Sequence, residues 1–166
     1  MPKQRYIFLD IDGVLANCKH RLHYIQGEEK DYEAFFNAIP DDTPYGNEED
    51  NPKLISDLQE SYGGTVILVT GRPEWTRQMT NDWLKKHYKA LPQMLMRKDG
   101  DHRKSPVVKA ELVTEFAQHH TVDECMVLDD MQDNIDAMCD ALKTLMPDLH
   151  IAAAKLTPVE EEDVEA

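Results

Sequence analysis

The chain has 166 residues, 41% of them hydrophobic and 30% charged, with 32 acidic against 18 basic residues and a net charge of −14. That length suits one domain with a proper core, and that composition suits a soluble globular protein. No apolar run approaches the roughly 20 residues of a membrane span, residues 1–5 run into an apolar strand instead of a signal peptide, and the acidic field opposes non-specific binding to a polyanion; a cytoplasmic protein without membrane contact is expected.

Along the chain, residues 6–9 form the first short apolar run and predict a buried strand, followed at once by Asp10-Ile11-Asp12-Gly13-Val14. Residues 16–50 are long for a strand-to-helix connection, with weak helical character at 32–38 and acids crowded at 41–50. They predict a small flap over the strand ends. Asn51-Pro52 starts a helix whose apolar face is Leu54, Ile55, Leu58 and Tyr62, and Gly63-Gly64 stops it. Residues 65–69 predict the second strand, leading into Thr70-Gly71-Arg72-Pro73. Trp75, Met79 and Trp83 share one face of the next helix, which assigns both tryptophans to the core rather than to a base-stacking platform.

A third strand is predicted at 93–96. A basic stretch follows, Arg97, Lys98, His102, Arg103, Lys104 and Lys109, where a dehydrated anion site could hide inside an acidic protein. Ser105-Pro106 is read as the cap of a helix carrying Val108, Leu112 and Phe116. The fourth strand, 125–128, ends in Asp129-Asp130, and Ile135, Met138, Cys139 and Leu142 mark the last helix. Residues 150–153 give a fifth strand, and 158–166 an acidic tail of disordered composition. Cys18, Cys125 and Cys139 are odd in number and hold no CxxC pair, which argues against a disulfide framework and a zinc site.

Near-continuous apolar strands alternating with helices predict a doubly wound, Rossmann-like α/β fold. Its five-stranded, mostly parallel sheet carries helices on both faces and a small flap after the first strand. The domain is expected to span 1–157, with 16–50 as the flap.

In open α/β sheets ligands bind beyond the carboxyl ends of the strands. Each polar group there has an ordinary explanation, as a turn, a stop or a helix cap. Together they bring four acids, a hydroxyl, an arginine and a lysine to one rim, and that agreement favours chemistry. Crowded carboxylates repel, and Mg2+ relieves the repulsion. Asp10, Asp12, Asp129 and Asp130 are therefore the predicted metal ligands. With a metal in place, a phosphate can reach Asp10 as nucleophile. Asp12 is placed to protonate the leaving alkoxide and then to activate water. Thr70 and Lys109 would stabilise the transferring phosphoryl group.

Asp10-Ile11-Asp12-Gly13, Thr70, Lys109 and Asp129-Asp130 resemble, in order, the four motifs of haloacid dehalogenase-like (HAD) phosphatases. The chain is closer still to the 3′-phosphatase domain of bacteriophage polynucleotide kinase and its stand-alone bacterial relatives. Arg21-Leu22-His23-Tyr24-Ile25, Tyr32-Glu33-Ala34-Phe35-Phe36, Val69-Thr70-Gly71-Arg72-Pro73, Leu95-Met96-Arg97, Gly100-Asp101-His102-Arg103 and Val107-Val108-Lys109 carry that resemblance. It implies that Arg21 and Arg72 hold the substrate phosphate, with Gly71 and Ser105 completing the substrate-binding set. No Gly-rich phosphate loop of a kinase half is present in the sequence. Ser105 stands where the family commonly has Asp, and Met131 where relatives often carry Arg.

The expected substrate is a phosphorylated nucleotide or a 3′-phosphorylated oligonucleotide end, with Mg2+ as cofactor; no protein partner is indicated. The alternatives are a nucleotidase acting on free mononucleotides and a phospho-accepting receiver module. A receiver shares Asp, Thr and Lys on such a sheet, but there the acid pair comes first. His20 and His23 have ligand spacing without a third ligand and read as packing residues. Tyr24 and Phe36, in the flap, are better candidates for meeting a base.

Overall fold

A computed structural model describes residues 1–158. The elements run β1 (Arg5–Leu9), β2 (Ala16–Asn17), α1 (Tyr32–Asn37), β3 (Thr43–Pro44), α2 (Asn51–Tyr62), β4 (Thr65–Pro73), α3 (Arg77–Tyr88), β5 (Gln93–Arg97), α4 (Ser105–His119), β6 (Glu124–Asp129), α5 (Gln132–Leu145) and β7 (His150–Lys155). The acidic tail foreseen at 158–166 lies, apart from Pro158, outside the described residues.

Consecutive side chains of a strand point to opposite faces, and in the central strands both sets are apolar. Ile7 and Leu9 of β1 and Val66 and Leu68 of β4 join one core layer with Ile55, Trp83, Leu84 and Tyr88 from α2 and α3. Phe8, Ile67, Val69, Cys125 and Val127 face the other way, against Val113 and Phe116 of α4 and Ile135, Met138 and Leu142 of α5. The sheet order is β5-β4-β1-β6-β7 and every pair is parallel. This is the doubly wound α/β fold the alternation implied. All five carboxyl ends therefore open on one rim. Among the described residues no helix is long and apolar enough to cross a membrane.

Three local expectations need correction. The second strand extends through Pro73, with a register shift between Thr70 and Pro73; Thr70, Gly71 and Arg72 lie in its irregular end, and such a bulge re-aims side chains. Trp75 is outside α3, in a single 3-10 turn at Glu74–Thr76, because its backbone N–H is held by Asp99 Oδ1 at 2.9 Å. It is 44% exposed, whereas Trp83 is buried as expected. Ser105 is the first residue of α4 and makes no cap bond; Lys104 occupies the cap position. Gly63 does end α2 in the left-handed conformation, its N–H bonded to Gln59 O at 2.8 Å, as C-terminal glycines do.

The segment 16–50 has a closed neck. Ala16 pairs with Pro44 and Asn17 with Thr43 in a two-stranded antiparallel ribbon that the sequence did not reveal. Between them lie a 3-10 turn at Lys19–Tyr24 and α1, whose N-cap Asp31 accepts from the Ala34 N–H at 2.9 Å. Helix α3 fastens this unit to the body. Trp83 Nε1 donates to Asp42 O at 2.8 Å, and the Tyr88 hydroxyl donates to Leu15 O at 2.7 Å.

Candidate active site

The strand β1 ends in Asp10, whose N–H extends the parallel ladder by bonding to Leu128 O at 3.0 Å. The chain then folds back at once: the N–H groups of Leu15 and Ala16 both reach Ile11 O. Gly13 makes that turn with φ +84°, and a β-carbon there would sit 2.0 Å from Asp130 Oδ2. Only glycine leaves room for Asp130 over the turn.

Asp10, Asp129 and Asp130 can each offer a carboxylate oxygen within 4.8 Å of the others. Lys109, almost fully buried on α4, spans two of them, donating to Asp10 Oδ1 at 2.8 Å and to Asp129 Oδ2 at 2.6 Å. Asp10 Oδ1 also accepts the Ile11 N–H at 2.8 Å. The other oxygen of Asp129 takes the Met131 N–H at 3.0 Å and Asn134 Nδ2 at 3.1 Å. Asp129 is thus orientated from the first turn of α5, and Asn134 is a site residue that sequence reasoning passed over.

Burial lifts the Asp10 carboxyl well above its usual range; Lys109 opposes the shift and Asp129 adds to it. Burial also raises Asp130, with Asp129 again contributing. For Lys109 burial works against the ammonium, yet the two aspartates outweigh it and raise its pKa. The cluster is therefore short of positive charge, and a hard cation fits its all-oxygen donor set.

The Asp12 side chain lies outside that trio. Both its oxygens are taken by arginines: Oδ1 by Arg21 Nη2 at 2.8 Å and Arg72 Nη2 at 2.7 Å, Oδ2 by Arg72 Nε at 3.1 Å. Burial would raise its carboxyl, but Arg72 and then Arg21 overcome this and hold it below the ordinary carboxylate value.

Arg21 and Arg72 are fully buried. Each also donates to Asp42, at 2.8 Å (Arg21 Nε) and 3.1 Å (Arg72 Nη2), and Arg21 lies over the Phe35 ring with its carbon 4.3 Å from the centroid. Asp42 accepts from His20 as well, at 2.7 Å. The sequence read Asp42 as one of a run of loop acids; it is instead the buried hub joining flap and body. The expectation that both arginines face a substrate phosphate therefore meets two guanidinium groups already engaged by Asp12 and Asp42. His20 packs against Asp42 and His23 against Tyr24.

Thr70 is fully buried, and its hydroxyl accepts the Arg72 N–H at 3.1 Å. Gly71 adjoins Ser105, with a virtual β-carbon 3.5 Å from Ser105 Oγ. Its carbonyl accepts from Arg97 Nε at 2.8 Å, and Arg97 Nη1 also holds the carbonyls of Asp101 and Arg103. The basic stretch is therefore partly structural: Arg97 staples the loop after β5 to the end of β4, and Arg103 pairs with Asp101 and Glu111.

Residues 4–143 match the family described as the polynucleotide kinase PNKP phosphatase domain. No curated protein matches the chain. Among solved structures it is similar to a chain of the Pnkp1/Rnl/Hen1 complex, with a TM-score of 0.64 and 21% identity over 96% of this chain and 48% of that one. It thus spans about half the length of that relative. It is also similar to the HAD domain of the effector protein Lem4 from Legionella pneumophila in an inactive mutant form, with a TM-score of 0.59 and 9% identity over 99% and 91% of the two chains. A class C acid phosphatase from Bacillus anthracis with tungstate bound gives 0.50 and 17% over 92% and 68%.

Proposed function

This chain belongs to the polynucleotide kinase PNKP phosphatase domain family and is a HAD-type phosphatase, and from that premise we propose that it is a Mg2+-dependent phosphomonoesterase removing the terminal 3′-phosphate of a polynucleotide through an aspartyl phosphate on Asp10. Residues 1–157 form the phosphatase domain and 16–50 its flap. The observation that carries this reading is the trio Asp10, Asp129 and Asp130 at the open rim of the sheet, the first two buried and bridged by Lys109.

Asp10, Asp129 and Asp130 would hold the cation, which when bound supplies the positive charge that lets a phosphate approach these acids. Lys109 and the Ile11 N–H fix Asp10 Oδ1, leaving Oδ2 to meet phosphorus. Attack forms the Asp10 Oδ2–P bond as the bond from phosphorus to the 3′-oxygen breaks. That oxygen leaves as a hydroxyl, Asp12 relaying to it the proton that the substrate monoanion brings in. Water then attacks the aspartyl phosphate and passes its proton to Asp12, which yields it to the departing phosphate as the Asp10 carboxylate is restored. Thr70 would donate its hydroxyl proton to the transferring group, its oxygen accepting the Arg72 N–H. Arg21 and Arg72 act chiefly by holding Asp12 in line.

The test is phosphate release from 3′- and 5′-phosphorylated oligonucleotides and from 3′- and 5′-mononucleotides, with wild type and Asp10→Asn. The 3′-phosphorylated oligonucleotide is expected to be preferred, chelation to stop turnover, Mg2+ to restore it, and Asp10→Asn to abolish it. The net charge of −14 favours the free-nucleotide alternative. A preference of more than about tenfold for a mononucleotide, about 1.4 kcal/mol in transition-state binding, would install that alternative instead.

A further inference from the structure

Between the flap and the loop after β5 lies a cavity of about 560 Å3, inside the roughly 300–1,000 Å3 range of small-ligand sites. Its aromatic lining is Tyr32 and Phe36 of α1 with Trp75 of the 3-10 turn; Lys98 and His102 also line it, as does Pro73, the residue after Arg72. Tyr32 and Phe36 are stacked at 26° with centroids 6.4 Å apart, and Trp75 meets Phe36 edge-on at 6.1 Å. Tyr32 is 48% exposed and Trp75 44%, and together with Phe36 they make an exposed aromatic patch, which is more informative than a single exposed ring.

Two bonds make this wall rigid and tie it to the active site. The Trp75 N–H is held by Asp99, and Arg97 joins the loop to Gly71 O, one residue from Thr70. Pro73 directly follows Arg72, so the cavity begins where the residues around Asp12 end. An exposed indole face, a lysine and a histidine in the same lining and the carboxylate cluster beyond Pro73 match the repeat of a nucleic-acid strand, in which bases stack on aromatic rings while the backbone meets positive charge.

Resting on the end-phosphatase reading, we propose that this cavity takes the base of the nucleoside bearing the 3′-phosphate, stacked on Trp75 with Tyr32 and Phe36 against its edge, and with the next phosphate of the strand toward Lys98 and His102. Trp75 is then a specificity-determining residue, in place of the core role its spacing suggested. Tyr24, paired with His23 and outside the cavity lining, takes no part.

The experiment compares wild type, Trp75→Ala and Trp75→Phe on a 3′-phosphorylated trinucleotide and on the same trinucleotide whose terminal nucleoside lacks its base. Trp75→Ala is expected to lower kcat/KM on the intact trinucleotide about tenfold, mainly through KM, with Trp75→Phe recovering most of it. The abasic substrate should lose a similar factor, and the two losses should overlap instead of multiplying, as for partners in one contact. Trp75→Ala within about twofold of wild type, or losses that multiply, would remove the base site while leaving the phosphatase reading intact. Should the wild type release no phosphate from either trinucleotide yet hydrolyse an aryl phosphate, the end-phosphatase reading itself fails and the base site with it.

Discussion

Replacing Asp42 by Asn keeps its shape and removes its charge, which isolates what holds Asp12 in place. Two buried guanidinium groups would then share one carboxylate. Removing one member of such a buried network costs about 3–5 kcal/mol, so Asp42→Asn should lower the urea midpoint clearly. Turnover should fall through kcat more than KM, because Asp12 loses its alignment; unchanged stability and kcat would show the hub to be idle. A pH effect follows from the same geometry. Since Arg72 and Arg21 hold Asp12 below the usual carboxylate value, it rests ionised at neutral pH, and the proton for the leaving group must arrive with the substrate monoanion. A phosphate monoester loses that proton near pH 6. The expected kcat/KM is highest below about pH 6 and falls as pH rises; a profile that climbs toward pH 8 would refute this. Asp10, Asp12 and Lys109 were legible because the strand-end pattern is local, and Asp42 was not, because only the tertiary fold separates it from its neighbours among the acids at 41–50.

At the level of elements, the flap depends on α3 for its seat. The Tyr88 hydroxyl reaches the carbonyls of Leu15 and Tyr45 at 2.7 and 3.2 Å from within the core. Tyr88→Phe keeps the ring and removes one donor from each carbonyl, the Tyr45 N–H still reaching Leu15 O and Asn51 Nδ2 still reaching Tyr45 O, a loss of about 0.5–1.5 kcal/mol. Thermal unfolding should report it, while a change below about 0.5 kcal/mol would mean that the flap is seated otherwise. The five sheet strands could be read from their apolar runs; in β1, β4 and β6 burial on both faces leaves a continuous signal, and the less buried edge strands β5 and β7 keep short apolar runs of their own. The ribbon of β2 and β3 could not, because two-residue strands have no period to detect. Trp75 shows the limit of periodicity: it keeps helical spacing with Met79 and Trp83, yet one bond from Asp99 holds its turn out of the helix.

For the molecule as a whole, charge and topology set the behaviour. On the end-phosphatase reading this acidic protein would neutralise few phosphates, so log kcat/KM for a 3′-phosphorylated oligonucleotide should fall with log salt at a slope no steeper than about −2. A slope typical of long footprints, with activity still rising well beyond three nucleotides, would contradict it. A mostly parallel five-stranded sheet was implied by the alternation of strands and helices, whereas its order β5-β4-β1-β6-β7 and its register were not, since every strand carries similar apolar residues. That topology also governs when competence arises. β1 pairs with β6 across a separation of 119 residues at Arg5 and Glu124, and Lys109 meets Asp10 across 99. Contacts so distant in sequence close late and slowly. A chain emerging from its N-terminus therefore exposes Asp10 long before its lysine and acid partners exist, and the proposed nucleophile stays unarmed until the sheet has closed around it. In refolding from denaturant, phosphatase activity is then the last property to return, after helix content and after burial of Trp83.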